Sequence, residues 1–167
     1  MENTKLLILD CDGTCYPKIT GFNDQFGKTL FNVANRMGYS QTEALKIGTS
    51  IRSEHPGMMN FLLALSRDKK IPFYSVTHLW CKSLNYNLIE PNPELVKAFS
   101  QVKINKCVFT NNCKEHVMHV WDRLFPEERP DIRVHSIEDT YENGWFHPKQ
   151  SPNGFIRIKK RNIFLFI

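Results

Sequence analysis

The feature that most constrains this chain is a short aliphatic run that ends in two acids. Residues 5–10 read Lys-Leu-Leu-Ile-Leu-Asp and continue into Cys11-Asp12-Gly13-Thr14. A short continuous apolar run suits a buried strand of a parallel sheet. The residues behind it have loop chemistry, so Asp10 and Asp12 are expected at the strand's carboxyl end. Ligand sites in open parallel sheets lie at those ends.

The rest of the chain alternates in the same sense. Phe22, Phe26, Leu30, Val33, Ala34 and Met37 fall on one helical face, and Gly38 supplies a stop. Ser40 and Glu43 are spaced for a capping box. Further helices are expected over 57–67 and 77–84, and the block 16–90 holds no convincing strand. Asn92-Pro93-Glu94 is a helix start, with Asn as cap and Pro in the first turn. Strands are expected at 107–110, 132–135 and 163–167, with helices following Asn112 and over 152–161. Such alternation implies an α/β fold with a parallel sheet and right-handed crossovers, interrupted after its first strand by a helical insert.

Composition bounds the function. The 167 residues suffice for one core, or for a small core with an inserted lobe. Lys and Arg number 22 against 17 Asp and Glu, a modest and scattered excess. A nucleic-acid partner would call for basic residues gathered on one face with aromatics between them, so none is expected. No apolar stretch is long enough to span a membrane, and the first residues are too few and too polar for a signal peptide. Five cysteines without a secretion signal point to reduced thiols and a cytoplasmic setting.

Three segments carry chemistry. Two carboxylates one residue apart, Asp10 and Asp12, can share a hard cation such as Mg2+. One can attack phosphorus while the other moves a proton, and Gly13 lets the backbone turn beside a ligand. Without that function the motif is a polar turn. Thr110-Asn111-Asn112 offers a hydroxyl and backbone N–H groups at a helix start, a cradle for phosphate; the plainer reading is that Asn112 caps the helix. Lys149, in Lys149-Gln150-Ser151-Pro152-Asn153-Gly154-Phe155, could neutralise a transferring phosphoryl group, or be a surface lysine.

Taken together and in order, these segments resemble the first three motifs of the haloacid dehalogenase superfamily. They are Asp10-Cys11-Asp12-Gly13-Thr14, Val108-Phe109-Thr110-Asn111, and Lys149 with Pro152 and Phe155. The continuation Cys15-Tyr16-Pro17 is similar to the pyrimidine 5′-nucleotidase-like branch. The resemblance implies a Rossmann-like core from 1–15 and 91–167 and a helical cap from 16–90. It implies a magnesium-dependent phosphatase acting on a small phosphorylated metabolite, such as a pyrimidine nucleoside 5′-monophosphate. Asp10 is then the nucleophile, Asp12 the general acid/base, and Thr110, Asn111 and Lys149 the phosphate site. The Asp10 side chain and the Asp12 backbone carbonyl would hold magnesium.

Cys15 stands for the usual Leu and Gln150 for the usual Pro. The fourth motif, a strand followed by acids that complete the metal site, is expected after 163–167, and no acid follows there. On that reading the segment is an exposed sheet edge, in a core incomplete at its C-terminal end. Asp12 favours phosphate transfer over dehalogenation, and nothing in the cap suggests a phosphomutase. The rival from another class is an inert relative that binds a phosphorylated ligand or a protein partner. A zinc site from Cys113, His116 and His119 is disfavoured, because their spacing spreads them over too wide an arc of one helix. Arg52 and His55 are candidates for substrate contacts. Trp80, Trp121 and Trp145 read as core.

Overall fold

The computed structural model describes residues 6–163. Strand β1 (Leu6–Leu9) is followed by helices α1 (Gln25–Arg36), α2 (Gln41–Arg52), α3 (Met58–Asp68) and α4 (Phe73–Lys82). Then come α5 (Pro93–Gln101), β2 (Asn105–Phe109), α6 (Lys114–Leu124) and β3 (Arg133–His135). A two-strand hairpin, β4 (Tyr141–Glu142) and β5 (Trp145–Phe146), precedes α7 (Pro152–Ile163).

The chain is an α/β protein. Among the described residues its main sheet is β1-β2-β3, parallel throughout, with Ile8 beside Cys107 and Val108 beside Val134. Side chains alternate across β2, as a pleated strand requires. Val108 enters the large core, whereas Cys107 and Phe109 form a smaller cluster with Ile158 of α7. The sheet is thus covered on both faces. Strand β1 is only half-buried, not buried as its apolar run implies, because it lies at one end of the strand order.

Local side-chain caps account for two of the helix starts. Ser40 and Glu43 form the reciprocal capping box of α2, and Asn92 accepts from the Leu95 N–H at the start of α5. The apolar face of α1 buries Val33 and Ala34, and Phe22 is buried just before the helix, against Phe26 and Tyr16. One continuous core joins this face to α3, α4, α6 and the sheet. Trp80 and Trp121 are buried in it. Trp145 is only partly buried, sandwiched between the His55 ring and the Arg67 guanidinium.

Two sequence expectations are overturned here. Helix α4 begins at Phe73, after Pro72, rather than near Thr77. Ile163 is the last residue of α7, not the start of a strand; the remainder of that expected strand, 164–167, lies outside the described residues. Residues 155–162 read Phe-Ile-Arg-Ile-Lys-Lys-Arg-Asn with no Gly or Pro to stop a helix, so the helix begun at Pro152 reaches Ile163.

The β4–β5 hairpin was not expected. Its turn holds Asn143 at φ 51° and Gly144 at φ 88°, the paired left-handed geometry that Asn-Gly favours.

Candidate active site

Asp10 follows β1, Thr110 follows β2, and both lie at the carboxyl ends of parallel strands. The Lys149 loop returns to the same end. A cavity of ≈ 500 Å³ is lined there by Asp10, Asp12, Thr110, Asn111, Asn112 and Lys149. It is lined as well by Pro56 and Gly57, by Met58, Met59 and Asn60 of α3, and by Ile137 and Phe146. The three motif segments, around residues 10, 110 and 149, therefore converge on one space.

Asp10 forms an ion pair with Lys149, and its other oxygen accepts the Cys11 N–H at 2.8 Å. Its side chain is 37% exposed, accessible enough to meet a ligand. Asn111 fixes the lysine loop from two sides. Its Oδ1 accepts the Lys149 N–H at 2.7 Å, and its Nδ2 donates to Gln150 Oε1 at 2.9 Å. Asn111 lines the cavity, but its amide is committed to holding Lys149 in place. Helix α7 presses on this loop at Gly154, where a Cβ would stand 2.8 Å from the Pro148 carbonyl oxygen.

Asp12 is held differently. Its Oδ1 accepts from the Tyr16 hydroxyl at 2.5 Å and from His116 Nε2 at 2.8 Å. Its Oδ2 accepts from Asn112 Nδ2 at 2.5 Å and from the Thr110 hydroxyl at 3.3 Å. Burial alone would push this carboxyl up; the charge of His116 and the hydrogen bonds of His116, Tyr16 and Asn112 outweigh burial and hold it below the usual range. Burial, and then the charge of Asp12, push the Tyr16 phenol up, so Tyr16 stays a donor.

Two expectations change as a result. Asn112 does not cap α6: the residue before that helix is Cys113, and the Lys114 N–H goes to the Glu138 carboxylate at 3.0 Å. The helix start is therefore not a free cradle. The buried Thr110 hydroxyl is aimed at Asp12 and accepts the Asn112 N–H at 3.1 Å, so it braces the carboxylate rather than standing open for phosphate.

Asp10 and Asp12 do not offer two open carboxylates to a metal, since all four donors named above already face the Asp12 side chain. Among the described residues no group of three or more His, Cys, Asp or Glu side chains is placed to hold an ion. The Asp12 carbonyl, however, accepts no backbone hydrogen bond there. One carboxylate and one carbonyl fit magnesium in its sparse mode, in which waters and substrate oxygens supply the other ligands. Cys113, His116 and His119 diverge: Cys113 Sγ faces Cys81 Sγ at 3.8 Å, His116 faces Asp12, and His119 lies near Glu115. All five cysteines are free and buried.

Arg52 and His55 line a separate apolar cavity between α1, α2 and α3, not the one at Asp10. The residues that sequence reasoning missed are Tyr16, His116 and Asn60. Asn60 lines the cavity while its side chain is bonded to the backbone of Phe146. Among the described residues no helix is long and apolar enough to cross a membrane. No protein-family model matches this chain, and no curated protein sequence matches it significantly.

Proposed function

We propose that this chain is a phosphomonoester hydrolase of haloacid dehalogenase type that works through an aspartyl-phosphate on Asp10. The observation that carries this reading is the Asp10–Lys149 ion pair in one cavity with Asp12, at the carboxyl ends of parallel strands. An oxygen of Asp10 attacks phosphorus as the bond to the leaving oxygen breaks; Asp12, ionised at rest, takes up a proton from solvent as substrate enters, releasing one of its four donors, and gives that proton to the leaving oxygen. Water then attacks the phosphoryl group, Asp12 takes the water's proton, and phosphate leaves with Asp10 restored. Lys149 stays beside Asp10 and balances the charge of the transferring group. Magnesium, held by the Asp10 carboxylate and the Asp12 carbonyl, would when bound supply further positive charge against the phosphoryl oxygens.

The substrate class follows from the lining. Lys149 is the cation among the described lining residues, and Pro56, Met58, Met59, Ile137 and Phe146 give the rest of the lining an uncharged, apolar part. That suits a small monophosphate with an uncharged leaving group, and a pyrimidine nucleoside 5′-monophosphate is within this class. The Rossmann-like core with a helical cap is part of the same proposal.

A second reading, an inert binder of a phosphorylated ligand or protein partner, is favoured by one observation. The Asp12 carboxylate and the Thr110 hydroxyl are both engaged with neighbouring side chains. Magnesium-dependent hydrolysis of 4-nitrophenyl phosphate separates the two. Turnover that needs Asp10 supports the hydrolase; tight phosphate binding with no turnover supports the binder.

A further inference from the structure

Resting on the hydrolase reading, we infer that His116 is a positioning residue for Asp12, the carboxylate that moves the proton. Its ring is fully buried and does not line the cavity, so it can act on the reaction only through Asp12. Both ring nitrogens are engaged. Nε2 faces Asp12 Oδ1 at 2.8 Å, and Nδ1 lies 3.0 Å from the Tyr86 hydroxyl.

An aromatic box holds the ring. Phe22 stacks on it at 5.9 Å with planes 22° apart, Phe26 meets it edge-on at 5.6 Å, and Trp80 lies at 5.3 Å. These rings come from the segment before α1, from α1 itself and from α4. An aliphatic side chain would fill such a box without the cost of burying two polar nitrogens. The histidine is instead the link by which Tyr86 and the helical segment fix one oxygen of Asp12, while Asn112 and Thr110 fix the other.

That rigidity matters to this chemistry. A general acid must sit about 2.6–3.2 Å from the oxygen it protonates, and a misplacement of about 1 Å costs roughly a hundredfold. No proton passes through His116. The proton that Asp12 gives the leaving oxygen is recovered from water in the second half of the cycle, so the step balances without it.

The test uses the whole chain and two esters. The nitrophenolate of 4-nitrophenyl phosphate departs without a proton; the alkoxide of an alkyl phosphate needs one. In single-turnover measurements, His116→Gln and His116→Leu are expected to slow alcohol release by about 100-fold or more. Nitrophenolate release should stay within about threefold, KM should be unchanged, and Gln should recover part of the loss seen with Leu because its amide can still donate to Asp12. Tyr86→Phe keeps the aromatic packing and removes the hydroxyl at Nδ1; it should give the same selectivity in weaker form, so the test does not depend on His116→Leu folding. Equal slowing of both esters, or of neither, in His116→Gln and Tyr86→Phe overturns the positioning role. A wild-type chain with no Asp10-dependent turnover of either ester overturns the hydrolase reading, and the positioning role with it.

Discussion

The side chain of Asn60 pairs with both backbone polar groups of Phe146. Its Nδ2 donates to the Phe146 carbonyl at 3.0 Å, and its Oδ1 accepts the Phe146 N–H at 3.0 Å. An amide on α3 thus imitates a neighbouring strand for β5, and ties the helical segment to the loop that carries Lys149.

Asn60→Leu removes both bonds, and the 3.2 Å bond from Nδ2 to the Pro56 carbonyl, at nearly constant volume, and strands the buried donor and acceptor of Phe146. An unsatisfied buried group costs about 1–3 kcal/mol, so a loss of roughly 2–5 kcal/mol is expected in urea unfolding. The Phe146 amide should lose its protection from hydrogen exchange. Unchanged protection would show that the pairing contributes nothing.

Gly154→Ala probes the contact between α7 and the lysine loop. The new methyl would sit 2.8 Å from the Pro148 carbonyl oxygen and 2.9 Å from that of His147, so backbone has to move. Overpacking of this kind costs about 1–3 kcal/mol. The same shift should displace Lys149 and raise KM for a phosphomonoester. Ala at Gly27, inside α1 where an added Cβ meets nothing within 4 Å, is the control: it should leave KM unchanged and stabilise by about 0.5–1 kcal/mol, as Ala replaces Gly in a helix.

Asp12 makes stability depend on pH with a definite sign. Although burial opposes it, the charge and hydrogen bonds of its partners hold the folded pKa below the unfolded value. Its contribution is therefore full above the unfolded value of about 3.9 and fades as pH falls through the lower folded value. Asp12→Asn should destabilise near neutrality, since an Asn side chain cannot accept from all four donors and a buried group left unmatched costs about 1–3 kcal/mol. The gap between variant and wild type should narrow below about pH 3.9. A gap that does not change with pH would contradict the ionised, four-donor description of this carboxylate.

The parts of this fold legible in sequence are those whose hydrogen bonds are local. Ser40 with Glu43 and Asn92 with Leu95 are partners three residues apart, and each reads directly from spacing. The surroundings of Asp12 were not legible. Asn112 lies 100 residues from Asp12 and His116 lies 104, so the same Asn that spacing assigns to a helix cap is claimed by a distant carboxylate. His116 reads in sequence as one of a row of helical residues; only the convergence of β1, α1, α4 and α6 turns it toward Asp12. The Asn143-Gly144 pair between Tyr141-Glu142 and Trp145-Phe146 did announce a hairpin, and that signal was in the chain to be read.

Lys149→Gln removes the cation beside Asp10 while keeping most of the side chain. Loss of a group that stabilises developing charge costs about 10²–10³ in rate, and a loss of that size is expected in kcat/KM for 4-nitrophenyl phosphate. A change below threefold would show that the ion pair is structural only.

The proposed mechanism stands or falls with covalent phosphorylation of Asp10. The most direct measurement is magnesium-dependent turnover of 4-nitrophenyl phosphate by wild type and Asp10→Asn, with acid-quenched protein examined for a phosphoryl adduct. Wild type should carry an adduct on Asp10 and the variant none, with turnover at least about a thousandfold lower, or some 4 kcal/mol in barrier. Near-normal turnover by Asp10→Asn, or active wild-type protein whose adduct lies on another residue, would contradict it.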